Sequence, residues 1–197
     1  MNEIEETEKS QATGKYRDCI VSYIDLNDIL QILRRKSTAG IRIMRELHKL
    51  VADRAPALKA HEEICFWQDS VLLLAHIESS KATYRGVMND VKVLKEAIDT
   101  IRPCHAVCVK GQTFPHEHVE PSREMPRIVY LSASSLAFSN CFHIEAELSN
   151  FKADWYIDSR IIRKIETRKE NHVKPVRLLP TNDERDVYIY RGSFAAP

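Results

Sequence analysis

Hydrophobic and polar positions follow one another along the chain in segments that predict a mixed α/β fold. The apolar, β-branched run at residues 19–24 ends at Asp25 and is typical of a buried strand. Two further apolar runs flank Gln68-Asp69-Ser70 and predict a tight hairpin. The remaining strands are predicted at residues 104–110, 127–131, 155–157 and 186–190.

Helical spacing of apolar residues separates these strands. The pattern predicts helices over residues 29–33 and 43–51, a strongly amphipathic helix that Ser80 caps, and a last helix that starts at Ser134 or Ser135. The resulting β-α-β-β-α-β core is typical of an α/β (α+β), ferredoxin-like sheet with helices on one face. A fold of this kind does not by itself identify a function.

The length of 197 residues predicts a single domain with modest additions at its ends. Residues 1–15 are acidic and polar and offer little to bury, so we expect a flexible arm there. Residues 16–167 contain the predicted core. Residues 168–197 form a C-terminal extension, which we expect to be a strand or hairpin packed on the same domain.

The charge balance excludes a strong global field. With 29 basic and 28 acidic residues, the net charge is +1, which predicts neither a nucleic-acid partner nor an anionic membrane surface. No apolar run approaches the roughly 18 residues that a spanning helix needs, and the polar N-terminus does not resemble a signal peptide. Five cysteines, mostly inside apolar runs, favour reduced thiols and a cytoplasmic location.

Two carboxylates are the strongest candidates for chemistry. Asp25 ends the first strand and Asp69 lies at the tip of the hairpin, and a β-α-β-β order allows these two points to meet. Carboxylates about 4–6 Å apart repel each other unless a cation lies between them. The pair therefore predicts a site for two divalent cations, Mn²⁺ or Mg²⁺, of the kind that bind a triphosphate.

Four segments resemble the class III nucleotidyl cyclases: residues 20–29, 64–72, 106–111 and 135–147. The resemblance covers roughly residues 18–160. It implies that Asp25 and Asp69 bind the metals, that the backbone carbonyl of Leu26 assists, and that pyrophosphate leaves as a nucleoside triphosphate cyclises on its own 3′-oxygen. It further implies a homodimer with active sites at the subunit interface.

The sequence departs from this family at two places. Cys65 and Phe66 occupy the stretch where family members carry a purine-reading Lys or Glu. Asn140 matches the Asn of the family's Asn-x-x-x-Arg pair, but Ile144 stands where the Arg belongs, and His143 is the nearest substitute. Either activity is lost, or a different base and a different helper residue are used.

Small, diverged proteins of this type resemble the pyrimidine cyclases of bacterial anti-phage defence (Pycsar systems), and we favour UTP over CTP as the substrate. The candidates for the walls of a smaller base pocket are Phe66, Trp67 and Arg54, and Lys110 is a candidate for a phosphate contact. The alternatives are a purine cyclase with an altered base pocket, an inactive domain that binds nucleotide or a partner, and an unrelated ferredoxin-like module that binds RNA.

Overall fold

The computed structural model describes residues 17–77, 83–113, 136–165, 173–178 and 183–192. Its strands form a seven-stranded sheet. They are β1 (Arg17–Leu26), β2 (Glu63–Trp67), β3 (Ser70–His76), β4 (Cys104–Thr113), β5 (Trp155–Asp158), β6 (Val173–Leu178) and β7 (Asp183–Tyr190). Across the sheet the order is β2-β3-β1-β4-β5-β7-β6. All neighbouring strands are antiparallel except β4 and β5, which are parallel.

Five α-helices connect the described strands: α1 (Ile29–Arg35), α2 (Ser37–Arg54), α3 (Tyr84–Asp99), α4 (Leu136–Leu148) and α5 (Ser159–Ile165). Short 3-10 turns follow α2 at Ala55–Ala57 and α4 at Ser149–Phe151. None of the helices within the described ranges has both the length and the apolar character that crossing a membrane requires.

The central strand β1 is apolar on both faces, and both faces are covered. Ile20 and Ile24 pack in a cluster with residues of α1, α2, α3 and α5. Val21 and Tyr23 point the other way and pack against residues of α4. The ferredoxin-like class is therefore confirmed, but the expectation that all helices lie on one face was wrong. A strand buried on both sides needs cover on both, and α4 supplies the second layer.

Most predicted elements lie where the pattern placed them, with small shifts at their ends. The amphipathic helix α3 begins at Tyr84 rather than after Ser80, because Thr83 is its N-cap and accepts a hydrogen bond from the Gly86 N–H at 3.0 Å. In the C-terminal part, β6 and β7 pair with each other, and β7 joins the sheet at β5. The predicted arm at residues 1–15 and the strand at 127–131 lie outside the described residues.

Candidate active site

The end of β1 and the tip of the β2–β3 hairpin lie side by side. Asp25 is paired with Ser70, the residue that follows Asp69. One step further along, the backbone N–H of Leu26 donates to the carbonyl oxygen of Asp69 at 3.4 Å. The structure thus brings the backbone of Asp25 and the backbone of Asp69 together at one edge of the sheet.

The electrostatics of this edge penalise negative charge. Burial raises the pKa of Asp25 to about 6; His105 opposes that rise, while the negative charges of Asp69 and Glu145 add to it. The pKa of Asp69 is also raised, mainly by burial and further by Glu145. Carboxylates that are crowded and partly desolvated in this way bind a proton or a cation more readily than an isolated surface acid does.

A cluster around Asp25 contains two residues that the sequence did not indicate. His105, on β4, lies directly across from Asp25 in the β1–β4 pairing. Glu145 approaches from α4, and its Oε1 lies 3.6 Å from Nε2 of His105. One ligand atom from each of Asp25, His105 and Glu145 lies within 4.8 Å of the others. Small movements of these side chains would bring the three atoms to the distances at which they bind one ion together.

A cavity of about 410 Å³ opens beside this cluster. Its size is within the range of roughly 300–1,000 Å³ that is usual for small-molecule sites. Among the residues that line it are four acids and one lysine: Asp25, Asp28, Glu145, Asp154 and Lys152. Such an acidic surface repels a triphosphate unless cations neutralise it. Asp69 does not line this cavity, although its charge acts on Asp25.

The two residues proposed to read the base lie on different faces of the sheet. Cys65 is half-buried and packs against the cluster that contains Tyr23, so it shares a face with Asp25. Phe66 is 38% exposed on the other face, where its ring contacts His48 of α2 with the centroids 4.4 Å apart. The assignment of Phe66 to the pocket wall is therefore corrected, because successive strand residues point to opposite faces.

Arg54 and Lys110 also lie away from the cavity. Arg54 is exposed at the end of α2, which covers the face opposite Asp25. Lys110 is paired with Ile20, whereas the cavity residue on the same strand, His105, is paired with Asp25. At about 3.3 Å per residue, this places Lys110 on the order of 15 Å along the sheet from the cavity. Its Nζ lies 3.1 Å from Asp18 Oδ2 instead, so neither basic residue reaches this site.

The helper residues proposed on α4 are not brought to the cavity either. Asn140 is 2% exposed on the stripe of α4 that faces the sheet, and Ile144 is 1% exposed on the same stripe. His143 is half-buried, and neither it nor Asn140 lines the cavity. The residue of α4 that meets Asp25 is Glu145. A catalytic role for Asn140 does not fit its buried position.

No family model matches the sequence, and no curated protein matches it. Several solved structures match the chain. The adenylyl cyclase CyaB from P. aeruginosa matches with a TM-score of 0.61 and 7% identity, over 93% of this chain and 98% of that one. A bacterial light-regulated adenylyl cyclase matches with a TM-score of 0.60 and 9% identity, over 88% and 90%.

The non-canonical dimeric guanylyl cyclase domain of the RhoGC fusion protein from the aquatic fungus Blastocladiella emersonii has a TM-score of 0.54 and 13% identity, over 90% of this chain and 97% of that one. The chain has the nucleotidyl cyclase fold. At identities this low the likeness concerns the fold alone, so the activity has to be argued from the residues at the end of β1.

Proposed function

We propose that this protein is a metal-dependent nucleotidyl cyclase, which converts a nucleoside triphosphate to its 3′,5′-cyclic monophosphate and pyrophosphate. One observation carries the proposal: on a cyclase fold, Asp25 at the end of β1 lies beside Asp69 at the hairpin tip. A two-metal site needs carboxylates at two such neighbouring points.

The described residues fit divalent cations. Asp25, the carbonyl of Leu26 and Asp69 would hold them, and their oxygen atoms are the ligands that Mg²⁺ and Mn²⁺ accept. Bound there, the ions would lower the pKa of the 3′-hydroxyl and neutralise charge on the α-phosphate. The raised pKa of both aspartates supports this role, since a cation relieves the crowding that causes it.

For the base, we propose a pyrimidine, with UTP ahead of CTP. Cys65 lies in the stretch where family members carry a purine-reading residue, and it shares a face with Asp25. Burial raises the pKa of its thiol, so at neutral pH it is uncharged and cannot pair with a purine edge as a lysine or glutamate does. A role in anti-phage defence rests on the resemblance to pyrimidine cyclases.

A purine substrate is the second candidate. The structural neighbours are named as adenylyl and guanylyl cyclases, which act on purine triphosphates. The fungal neighbour is named as a non-canonical dimer, which supports the proposal that the present chain acts as a homodimer. That its active sites lie at the subunit interface rests on the family resemblance. The buried Ile144, where the family has an Arg, favours instead the reading that turnover has been lost.

The decisive experiment incubates the full chain with Mn²⁺ and each of ATP, GTP, CTP and UTP, and identifies the products by mass spectrometry. We expect cyclic UMP and pyrophosphate from the unmodified protein and neither from Asp69→Asn. Asp53→Asn, which changes an exposed aspartate on α2, is the matched control and should retain activity. Release of no pyrophosphate from any nucleotide would overturn the proposal, and a cyclic purine product would overturn only the choice of base.

A further inference from the structure

The second ring nitrogen of His105 is buried without a hydrogen-bond partner among the described residues. The side chain is 14% exposed, and Nε2 is enclosed but unpaired. Glu145 Oε1 lies 3.6 Å from this nitrogen, which is too long for a hydrogen bond. An enclosed, unpaired nitrogen costs about 1–3 kcal/mol unless something else binds it.

The other ring nitrogen determines what Nε2 can bind. Nδ1 lies 3.0 Å from Oδ1 of Asn27, an oxygen that can only accept a hydrogen bond. The proton of a neutral ring is therefore on Nδ1, and Nε2 presents a lone pair toward Asp25 and Glu145. Histidine ligands of metals have this arrangement, in which the non-ligating N–H donates to an oxygen that fixes the ring.

The aromatic residues around His105 hold the ring in place. Its centroid lies 6.5 Å from that of Tyr23 and 6.0 Å from that of Tyr156, with both contacts edge-on. At metal–ligand distances of about 2.0–2.2 Å, two ligands of one ion stand roughly 3–4 Å apart. The 3.6 Å separation of His105 and Glu145 meets this requirement.

We propose that Asp25, His105 and Glu145 form a binding site for one first-row transition-metal ion, and that the site selects Mn²⁺ or Zn²⁺ over Mg²⁺. Imidazole nitrogen suits transition metals, whereas Mg²⁺ prefers oxygen ligands and retains its water. Because the protein supplies all three ligands, binding of the ion does not require a nucleotide. Metal binding itself does not depend on the proposed function; only the ion's use in cyclisation does.

The test uses the full chain, freed of metal with a chelator and titrated with Mn²⁺ in the absence of nucleotide. Electron paramagnetic resonance measures free Mn²⁺, and pulsed measurements detect modulation from a coordinated ¹⁴N nucleus. We expect one bound ion with ¹⁴N modulation, retained in a hundredfold excess of Mg²⁺. Absence of nucleotide-free binding, absence of ¹⁴N modulation, or displacement by equal Mg²⁺ would each overturn the proposal.

Variants assign the ligands. His105→Gln should abolish the ¹⁴N modulation. Loss of a residue that supports a metal ligand weakens metal binding roughly 10–100-fold, and loss of the ligand His105 itself should weaken Mn²⁺ binding by more than that. Asn27→Ala, which removes the residue that supports His105, should weaken binding by about 10–100-fold. Wild-type affinity and undiminished modulation in His105→Gln would refute its role.

Glu145→Gln provides an independent test if His105→Gln does not fold. The Glu145 side chain is 29% exposed, so this position tolerates substitution more easily than the 14% exposed His105 does. Glu145→Gln should also weaken Mn²⁺ binding. Glu147→Gln, an exposed residue on the same helix, is the matched control and should bind as the wild type does. Equal affinity in the two glutamate variants would remove Glu145 from the site.

The two proposals fail separately. A protein that binds Mn²⁺ through nitrogen but releases no pyrophosphate from any nucleotide keeps this site and loses the cyclase function. A protein that makes cyclic nucleotide but binds no metal on its own keeps the cyclase function and loses this site.

Discussion

Nε2 of His48 lies 3.2 Å from the backbone carbonyl oxygen of Gln68. His48 belongs to α2, and Gln68 is the residue before Asp69 at the hairpin tip. The same imidazole also contacts the ring of Phe66. A helix that packs on one face of the sheet thereby anchors the turn that carries one of the two aspartates.

Replacing His48 by Ala should loosen this turn. Loss of one hydrogen bond costs about 1 kcal/mol, so the protein should remain folded. We expect faster amide hydrogen exchange over residues 63–76 and a higher Mn²⁺ concentration for half-maximal turnover. Lys49→Ala, the exposed neighbour on the same helix, should change neither measurement. If the two variants exchange at the same rate, His48 does not anchor the hairpin.

Gln68 has a backbone conformation that favours glycine. Its φ is +57°, in the left-handed region, where a side chain costs roughly 1–2 kcal/mol. Gln68→Gly should therefore stabilise the protein by about 0.5–1 kcal/mol, because part of the gain is offset by the greater freedom of glycine in the unfolded chain. Urea denaturation with an unchanged m-value would measure this. A lower midpoint would show that the Gln68 side chain makes a contribution that outweighs the strain.

The raised pKa of Asp25 predicts how stability depends on pH in metal-free protein. The pKa rises from 3.8 to about 6 on folding, so the folded state holds this proton more tightly than the unfolded state. The stabilisation by this group is complete below about pH 4 and is lost as pH rises through about 6. At neutral pH the charged Asp25 opposes folding.

Asp25→Asn should consequently be more stable than the wild type at pH 7 in a chelator, and this advantage should disappear by about pH 4. The difference in free energy of unfolding between the two proteins gives the contribution of Asp25 separately from the contributions of the other acids. Added Mn²⁺ should reverse the order at pH 7, because only the wild type retains the carboxylate ligand. A variant that is less stable at pH 7 without metal would contradict the assigned shift.

Restoring the family's arginine at position 144 should fail. Ile144 is 1% exposed between α4 and the sheet, so Ile144→Arg buries an unpaired charge and should cost about 3–5 kcal/mol or prevent folding. Ile144→Val, the conservative control, should cost only about 0.5–1.5 kcal/mol. A folded Ile144→Arg with increased cyclase activity would show that α4 can present this position to substrate.

Local patterns were sufficient to predict much of the fold. The β-branched run before Asp25 and the polar Gln68-Asp69-Ser70 between two apolar runs specify a strand and a hairpin without any distant information. The second layer formed by α4 was missed, although apolar residues occur in both alternate sets of residues 19–24, with Cys19, Val21 and Tyr23 in one and Ile20 and Ile24 in the other. That pattern already indicates a strand that is covered on both faces.

The site was only partly predictable, because its other members depend on strand pairing. His105 meets Asp25 through the β1–β4 register, which joins residues far apart in the sequence. A polar residue near the start of an apolar strand was the only local sign of it. Phe66 was misplaced because assigning a strand residue to the wrong face takes a shift of just one position.

Glu145 reaches Asp25 within a single polypeptide, and this has a consequence for genetic complementation. When chains carrying Asp25→Asn are mixed with chains carrying Glu145→Gln, every cluster in every reassembled particle still lacks one ligand. Subunit exchange should then recover no metal binding. If each cluster took its ligands from two protomers, mixing the two variants would instead produce complete clusters in a fraction of the particles.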